Sequence, residues 1–543
     1  MRLLPLFLLA ACDGDKLLPD DTGGPADDTA AAGCSPGLSL EEGMVRTSGG
    51  VLQGVAAGEG WGFLGVPFVE APVGERRFAF PEPFACRDGE VMDADALGSV
   101  CPQPDVQGTD VIGDEDCLHL NVWTPEAMPL AEGAAERPVM FFIHGGGNVQ
   151  GSTAQGDGYL FYDGGRLAEA TGAVVVTTNY RLGALGFMAH EALTAEYGTG
   201  SGNLGLRDQL AALDWVQENI AAFGGDPARV MVFGESAGGL DTCMLYTSPL
   251  AAGKLSAALI ESASCPALPL ADREAEGADY AVELGCAGDD VPACLRALPW
   301  ADLAALSGFP ISDLGVPGAG GFGTTIDGEV LPMAPNDAIE AGQHNDVPLV
   351  LGSNSDETAQ WVGTLTRAQF ETRVETYFGA FADQVLALYP EADFDSGREA
   401  WIALTTDASF TCPARSLARR AAESQQSPVW RYVFTNAPTG LSGTLYGAWH
   451  GLELAYVFQG VDAVADATGY APDAEDYAVE ALMGAAWGNL AWDGAPDSGT
   501  LALDHAWPQY DPLLDNSLEI GGDFGVIEGY RDAQCDFWGL FGL

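Results

Sequence analysis

The chain has 543 residues, of which 47% are hydrophobic and 18% are charged, and this composition is typical of a folded globular protein rather than of a disordered chain. Basic residues number 22 and acidic residues 78, which gives a formal net charge of -56. A surface this negative repels phosphate backbones, so nucleic acid is excluded as an expected partner. We interpret the acidity as a solvated surface.

Residues 1–33 have the pattern of an export signal followed by a tether. Arg2 precedes an apolar run over residues 3–11, which is shorter than the roughly 20 residues that a membrane-spanning helix needs. Leu9-Ala10-Ala11-Cys12 resembles a bacterial lipobox, in which the cysteine is lipidated. We therefore predict a signal peptide over 1–11, a lipidated Cys12 and a flexible tether over 12–33. An ordinary short signal peptide is the alternative.

This interpretation predicts an exported protein that a lipid anchor alone holds on the bacterial cell envelope. If the signal is an ordinary one, the protein is secreted. The oligomeric state is left open.

Short apolar runs alternate with amphipathic stretches along the rest of the chain. Leu210, Leu213, Val216 and Ile220 share one face of a helix predicted over 206–223. Strands that alternate with helices predict a mostly parallel sheet flanked by helices, in one α/β domain over 34–543. The glycine- and proline-rich residues 308–323 are predicted to form a loop. The runs that suit strands buried on both faces are 138–144, 172–179, 230–233, 347–352 and 429–434.

Residues 234–238 read Gly-Glu-Ser-Ala-Gly and match the GxSxG pattern around Ser236. The pattern alone is weak in a chain with 71 glycines. Here it follows a predicted strand and precedes a helix-compatible stretch from Leu240, which is the setting of a nucleophile elbow. A helix that begins just after Ser236 also directs N–H groups toward developing negative charge.

Three glycines follow another predicted strand, in His144-Gly145-Gly146-Gly147. Such a loop can present backbone N–H groups to the negatively charged oxygen that forms during acyl transfer. Two weak motifs of one mechanism, in the expected order along the chain, support each other.

A serine hydroxyl needs a base, and in α/β-hydrolases the order along the chain is serine, acid, histidine. His344, His450 and His505 follow Ser236. The pattern favours His450, because it lies in the loop after the predicted strand 429–434, with His505 as the alternative. His344 precedes a strand and so lies at its wrong end.

The acid should follow a strand between the serine and the histidine. Asp356 and Glu357 both come directly after the predicted strand 347–352. Its role is to orient the imidazole and to stabilise the imidazolium. The residue pattern does not separate the two carboxylates.

Taken together, these residues resemble the type-B carboxylesterase family, which includes the cholinesterases. The match runs from about Gly49 to Trp538. The segments that carry it are 65–67, 71–75, Glu115-Asp116-Cys117-Leu118-His119-Leu120-Asn121-Val122, 179–183, 223–227 and Ala448-Trp449-His450-Gly451-Leu452-Glu453.

The resemblance implies an α/β-hydrolase fold and a serine esterase that needs no metal or organic cofactor. It assigns Ser236 as the nucleophile, His450 as the base and Glu357 as the acid, because the family acid follows an aspartate. By the same resemblance, Gly146, Gly147 and Ala237 supply the oxyanion N–H groups. The expected substrate is a small carboxylic ester.

The resemblance also implies disulfides among the 11 cysteines. The family has three bonds where Cys101–Cys117, Cys286–Cys294 and Cys412–Cys535 fall. Cys243–Cys265 and Cys34–Cys86 are then the remaining pairs. Such bonds persist in an oxidising compartment, which agrees with the predicted export. Paired CxxC spacings are absent from the sequence, so no zinc site is predicted.

Two departures from the family bear on the substrate. Asn148 stands where the family usually has an aromatic residue, which predicts a more polar pocket wall. Residues 102–116 contain no aromatic residue, although cholinesterases place a tryptophan there, so choline esters are not expected substrates. The alternatives are a lipase for longer acyl chains, an amidase on the same triad, or a non-catalytic adhesion protein of this fold.

Overall fold

The computed structural model describes residues 34–542, except for 35, 38–41, 106–107, 109, 127–135, 154–161, 289, 309–311, 313, 315–320, 439–445, 504 and 523. The predicted signal peptide, Cys12 and the tether lie outside the described residues. Cys34–Leu543 is one compact unit. Within the described ranges, no helix is both long enough and apolar enough to cross a bilayer.

A central sheet of eleven strands positions the elements that matter for function. Its order is β18-β17-β16-β15-β12-β11-β9-β10-β8-β4-β3, with small satellite sheets beside it. The strands are β1 (Met44–Thr47), β2 (Gly50–Gln53), β3 (Val55–Ala57), β4 (Gly60–Pro67), β5 (Val91–Asp93), β6 (Gln103–Pro104), β7 (Val111–Ile112), β8 (His119–Thr124), β9 (Arg137–Ile143), β10 (Val174–Thr178), β11 (Gly225–Glu235), β12 (Ala257–Glu261), β13 (Leu268–Pro269), β14 (Thr325–Ile326), β15 (Leu349–Asn354), β16 (Val429–Phe434), β17 (Asn516–Ile520) and β18 (Gly525–Glu528).

The seven strands from β10 to β17 in this order pair in parallel, whereas β8, β4 and β3 at one edge and β18 at the other add antiparallel pairs. The predicted mostly parallel sheet is therefore confirmed.

Helices connect the parallel strands and cover both faces of the sheet. Their bounds are α1 (Gly164–Thr171), α2 (Gly183–Phe187), α3 (Glu191–Tyr197), α4 (Leu204–Asn219), α5 (Ala237–Thr247), α6 (Leu270–Glu283), α7 (Val291–Ala297), α8 (Trp300–Ala305), α9 (Pro335–Glu340), α10 (Arg367–Phe378), α11 (Ala382–Leu388), α12 (Gly397–Thr406), α13 (Cys412–Ser424), α14 (Leu454–Val457), α15 (Val461–Thr468), α16 (Ala474–Asp493) and α17 (Asp532–Trp538).

Side chains of the central strands alternate between two cores. On β9, Phe141 and Ile143 pack into a core with α4, whereas Met140 and Phe142 pack into a second core with α16. Because successive side chains of a strand point to opposite faces, a strand covered on both faces must be apolar throughout. This explains the continuous apolar runs in the sequence.

The structure contains the predicted strands and helix, with small shifts in their first and last residues. The strand predicted over 429–434 has those bounds in β16, and the helix predicted over 206–223 corresponds to α4 followed by a 3₁₀ turn, Ile220–Phe223. β11 begins five residues before the predicted strand 230–233. The predicted loop 308–323 falls largely on residues outside the described ranges.

Five disulfides are present, which are the three pairs that the family resemblance implied and the two pairs that then remained. They are Cys34–Cys86, Cys101–Cys117, Cys243–Cys265, Cys286–Cys294 and Cys412–Cys535. Cys243 lies on α5, which follows Ser236 directly, so the third bond ties this helix to the loop after β12.

Candidate active site

Ser236 lies on a sharp turn between β11 and α5. Its backbone has φ 58° and ψ -123°, a conformation that residues with a side chain rarely adopt. Ser236 N–H donates to the carbonyl of Glu261 on the neighbouring strand, at 3.0 Å. The turn projects the serine at the carboxyl edge of the sheet, and α5 begins at the next residue.

Close packing of the backbone explains the glycines around Ser236. A Cβ at residue 238 would lie 1.9 Å from the carbonyl oxygen of Ile143, and a Cβ at residue 234 would lie 2.6 Å from the same oxygen. Both distances are far below a normal contact. The elbow therefore needs glycine at these two positions so that β9 can pass beside it.

The glycine loop after β9 lies against the elbow. Gly146 and Gly147 have φ values of 111° and 65°. Gly147 and Ala237 line one cavity together with Ser236. Within the described part of the chain, no acceptor is bonded to Gly147 N–H or Ala237 N–H, so both remain available for an oxyanion. Gly146 lies in the same loop but is not among the cavity-lining residues.

Buried side chains hold this loop in place. Asn148, with φ 59°, donates from Nδ2 to Asp241 Oδ1 at 3.0 Å and accepts from the Tyr180 hydroxyl at 3.1 Å. Asn148 lines the cavity, but these bonds engage its amide. His144 stacks on Tyr180, and burial lowers the pKa of His144 to about 4. His144 is therefore neutral near pH 7.

His450 is paired with Glu357. Its Nδ1 lies 2.6 Å from Glu357 Oε2, and Glu357 is fully buried. Glu357 Oε1 accepts from the backbone N–H of Asn354, the last residue of β15, at 2.7 Å. This second bond fixes the carboxylate, which in turn orients the imidazole.

The structure separates the two carboxylates that the residue pattern left equivalent. The Asp356 carboxylate accepts from Ala448 N–H at 3.2 Å, and its own N–H donates to the Ala448 carbonyl. A Cβ at residue 447 would lie 2.5 Å from Asp356 Oδ2, so glycine is required there. Asp356 thus braces the segment that carries His450, and Glu357 contacts the ring.

The other imidazole nitrogen faces a residue that the sequence analysis did not single out. His450 Nε2 lies 3.2 Å from Glu235 Oε1, close enough for an ion pair but without the alignment of a hydrogen bond. Within the described residues, Nε2 has no hydrogen bond to Ser236. Burial would lower the His450 pKa, but Glu235 and Glu357 outweigh it and raise the pKa to about 9.

Three buried glutamates act on this histidine, namely Glu235, Glu357 and Glu453, and a fourth, Glu261, interacts with Glu235 and Glu453. Burial and mutual repulsion raise the pKa of Glu235 to about 7 and that of Glu453 to about 8, and the pKa of Glu261 is raised as well. Ser262 donates to Glu453 at 3.2 Å, and Trp487 donates to Glu261 at 3.1 Å. Glu235 lies inside the GxSxG motif, and Glu453 lies inside the histidine segment 448–453. Their positions in these motifs are the signal by which sequence reasoning could have found them.

The other two candidate histidines, His344 and His505, have different surroundings. His344 Nε2 lies 3.2 Å from Gln425 Oε1, and its ring packs on Tyr246. His505 packs on Phe524. Neither residue lines the cavity that contains Ser236; His450 is not among its lining residues either, but its ring packs on Phe410, which is one of them.

The cavity at Ser236 has a volume of about 440 Å³, within the range of small-molecule sites. Apolar walls come from Leu240, Phe322 and Phe410. Phe410 belongs to a π-helical turn, Asp407–Thr411, between α12 and α13, and its ring lies 5.1 Å from that of His450. Irregular helical turns of this kind are frequent at functional sites.

A serine on a strand–turn–helix elbow, and a histidine that follows a later parallel strand, define the class of α/β-hydrolases. A model of the carboxylesterase family matches residues 41–538. A solved structure of PNB esterase superposes with a TM-score of 0.77 at 29% identity, covering 91% of this chain and 98% of that one. The predicted α/β-hydrolase fold is confirmed.

Curated relatives agree with the family match. Fumonisin B1 esterase of Sphingopyxis macrogoltabida is 36% identical over 510 residues, which cover 90% of this chain and 88% of that protein. Para-nitrobenzyl esterase of Bacillus subtilis is 32% identical over 500 residues, with coverages of 88% and 96%. Cholinesterase of Mus musculus is 29% identical over 545 residues, with coverages of 93% and 86%. The chain belongs to the carboxylesterase family.

Proposed function

We propose that this protein hydrolyses carboxylic esters through an acyl-enzyme formed on Ser236. The esterase relatives support the reaction class. The observation that carries the residue assignment is the His450–Glu357 pair, at 2.6 Å, on the same edge of the sheet as the Ser236 elbow.

In this proposal, His450 accepts the proton of Ser236 Oγ at Nε2 while Nδ1–H donates to Glu357. Oγ attacks the ester carbonyl, and the N–H groups of Gly146, Gly147 and Ala237 stabilise the oxyanion. His450 then gives the proton to the leaving alcohol. Water, activated by His450 in the same way, releases the acid and restores Ser236.

The base is required in its neutral form. Catalytic hydrogen bonds in structures without substrate are often long or poorly aligned and tighten in the reaction complex. The Nε2 atom that faces Glu235 must therefore come to face Ser236 Oγ when the ester binds. Neutral Nε2 has no proton to share with Glu235, so loss of the imidazolium charge weakens the ion pair and frees this nitrogen.

The test is hydrolysis of a chain-length series of nitrophenyl esters by purified protein, beside a choline ester. We expect hydrolysis of short aryl esters and loss on the order of 10⁴-fold or more in kcat for Ser236→Ala. Ser498→Ala, in a loop outside the cavity, is the matched control. Unaltered activity of the Ser236 variant would refute the assignment. A preference for the choline ester over the aryl esters would refute the prediction, drawn from residues 102–116, that choline esters are not substrates.

We also propose that the protein is exported and anchored through a lipid on Cys12. The lipobox-like residues 9–12 support this, as do five disulfides, which persist in oxidising compartments. Cys12→Ser should move the protein from the membrane fraction to the soluble fraction. Unchanged membrane retention would refute the anchor.

A further inference from the structure

The cavity that contains Ser236 has one charged side chain among its described lining residues, and that charge is positive. It belongs to Arg273, whose side chain is only 5% exposed. Basic residues number 22 against 78 acidic ones in this chain. Isolated buried charges are costly, so a cation on the wall of a largely apolar cavity requires a partner.

Local pairing of two short strands brings Arg273 to the cavity. β13 pairs in parallel with β14, and α6 begins directly after β13. Arg273 is on the first turn of α6, on the same buried face as Gly277 and Ala281. Gly277 and Ala281 are small, so Arg273 is the one long side chain among the fully buried residues of α6.

The guanidinium is only partly satisfied by the protein. Nη1 donates to the Gly321 carbonyl at 2.5 Å and to Glu276 Oε2 at 2.8 Å. Glu276 is 45% exposed, so solvent weakens this ion pair. Nε is buried and has no hydrogen-bond partner among the described residues. Nη2 lies beside Gly323 of the cavity wall, where a Cβ would approach it to 2.7 Å.

Other buried arginines in this chain show how the guanidinium edge formed by Nε and Nη2 binds a carboxylate. Arg77 holds Glu115 through Nε and Nη2, both at 2.6 Å. Arg181 holds Asp208 through Nε at 2.8 Å and Nη2 at 2.7 Å. These two nitrogens form a fork that matches the two oxygens of a carboxylate. In Arg273 no carboxylate of the described residues occupies the fork.

We propose that Arg273 binds a carboxylate carried by the ester substrate, so that the preferred substrates of this enzyme are anionic esters. This inference rests on the proposed esterase function and adds the substrate class. Nη2, beside Gly323 of the cavity wall, donates to the carboxylate while the ester carbonyl lies at Ser236 in the same cavity. The carboxylate belongs either to the acyl part or to the alcohol part of the ester.

The test uses pairs of esters that differ only in charge. For the acyl part, mono-nitrophenyl esters of linear dicarboxylic acids are compared with the same esters whose far carboxylate is a primary amide. For the alcohol part, the butyrate ester of 4-hydroxybenzoate is compared with that of 4-hydroxybenzamide. We expect kcat/KM to favour the carboxylate over the amide in one of the two pairs, by about tenfold to a hundredfold.

Variants then assign the preference to Arg273. Arg273→Gln should abolish the preference and leave hydrolysis of the amide ester within a few-fold, whereas Arg273→Lys should retain part of it. Gly323→Ala should also reduce the preference, because its Cβ displaces Nη2 without removing the charge. Arg166→Gln makes the same change of charge on α1, outside the cavity, and is the matched control.

The outcomes are distinguishable. A wild-type enzyme without preference for either carboxylate, or a preference that survives Arg273→Gln, overturns the proposal. If Arg273→Gln lowers kcat/KM equally for the anionic and the neutral ester of a pair, and Arg273→Lys does the same, Arg273 has a purely structural role. That result also overturns the proposal. If folded wild-type protein hydrolyses neither the anionic nor the neutral esters, the proposed esterase function itself has failed.

Discussion

Glu235, the residue immediately before the proposed nucleophile Ser236, has its Oε1 3.2 Å from Nε2 of His450. Together with Glu357 on Nδ1, this places the imidazole between two carboxylates. Such an arrangement stabilises the imidazolium, which is the form that cannot act as a base. The turn between β11 and α5 therefore carries both the proposed nucleophile and a carboxylate that raises the pKa of His450.

This contact predicts the pH dependence of the reaction. The His450 pKa is raised from 6.5 to about 9, so the neutral base is lost as the pH falls below about 9. Glu235→Gln removes one of the charges that raise this pKa, and the acidic limb of the kcat/KM profile should move to lower pH by about one unit or more. Glu235 itself titrates with His450, so the limb reports the pair. The control is Glu528→Gln, on the edge strand β18, which should leave the pH profile of kcat/KM unchanged. If Glu235→Gln does not move the acidic limb of this profile, this account is contradicted.

The two adjacent carboxylates after β15 should differ sharply in their effect on activity. In Glu357→Gln the remaining oxygen accepts from Asn354 N–H, so the amide NH₂ faces Nδ1 and the negative charge is lost; we expect kcat to fall by about 10³- to 10⁴-fold. Asp356→Asn keeps an oxygen that can accept from Ala448 N–H and should retain activity within about tenfold. Steady-state kinetics of both variants, with circular dichroism to verify folding, decide the assignment. The reverse order of effects would make Asp356 the acid.

Buried Asp241 predicts a stability that decreases toward neutral pH. Burial raises its pKa from 3.8 to about 7, against the opposing hydrogen bonds from Gln209 and Asn148. The native state therefore holds this proton more tightly than the unfolded state. Its contribution to stability is full below about pH 4 and is lost as the pH rises through about 7, by at most about 1.4 kcal/mol per pH unit.

Asp241→Asn should make this dependence shallower. Gln209 Oε1 has no partner among the described residues, so the Gln209 amide can turn to accept from the new side chain. The measurement is the free energy of unfolding in urea at several pH values between 4 and 8. Asp393→Asn, an exposed position, is the control. Identical pH slopes for wild type and the Asp241 variant would count against a raised pKa at this residue.

The Cys243–Cys265 disulfide should support both stability and substrate binding. It closes a 22-residue separation, worth about 3 kcal/mol by loop entropy, and Cys265 lines the cavity. Replacing both cysteines by serine should lower the melting temperature and raise KM. The same change at Cys286–Cys294, with a separation of 8 and outside the cavity lining, should cost less stability and leave KM unchanged. Equal KM values in the two variants would argue that the first bond has no role at the site.

Local patterns were sufficient for the strands buried on both faces, because such strands must be apolar throughout. They were less informative at element ends. β11 begins at Gly225 rather than at 230, because Gly225 already pairs with Arg137; the register then shifts before Val230, where Asp226 and Arg229 interrupt the apolar pattern. α5 begins at Ala237 rather than near Leu240. Its first turn contains Gly238 and Gly239, a residue type that usually disfavours helices. Glycine is needed here because a Cβ at either position would clash with the backbone of β9 or β12.

The sequence by itself determined which residues are candidates: Ser236, His450 and two adjacent carboxylates, each marked by a motif or by its position after a strand. The residue pattern could not choose between Asp356 and Glu357, and only the family resemblance favoured Glu357, since neighbouring side chains in a loop point in directions that the folded backbone sets. The tertiary structure alone revealed the contact of Glu235 with His450 and the unfilled fork of Arg273. Both depend on residues far apart in sequence, whose approach is decided by packing and by the cost of burying charge.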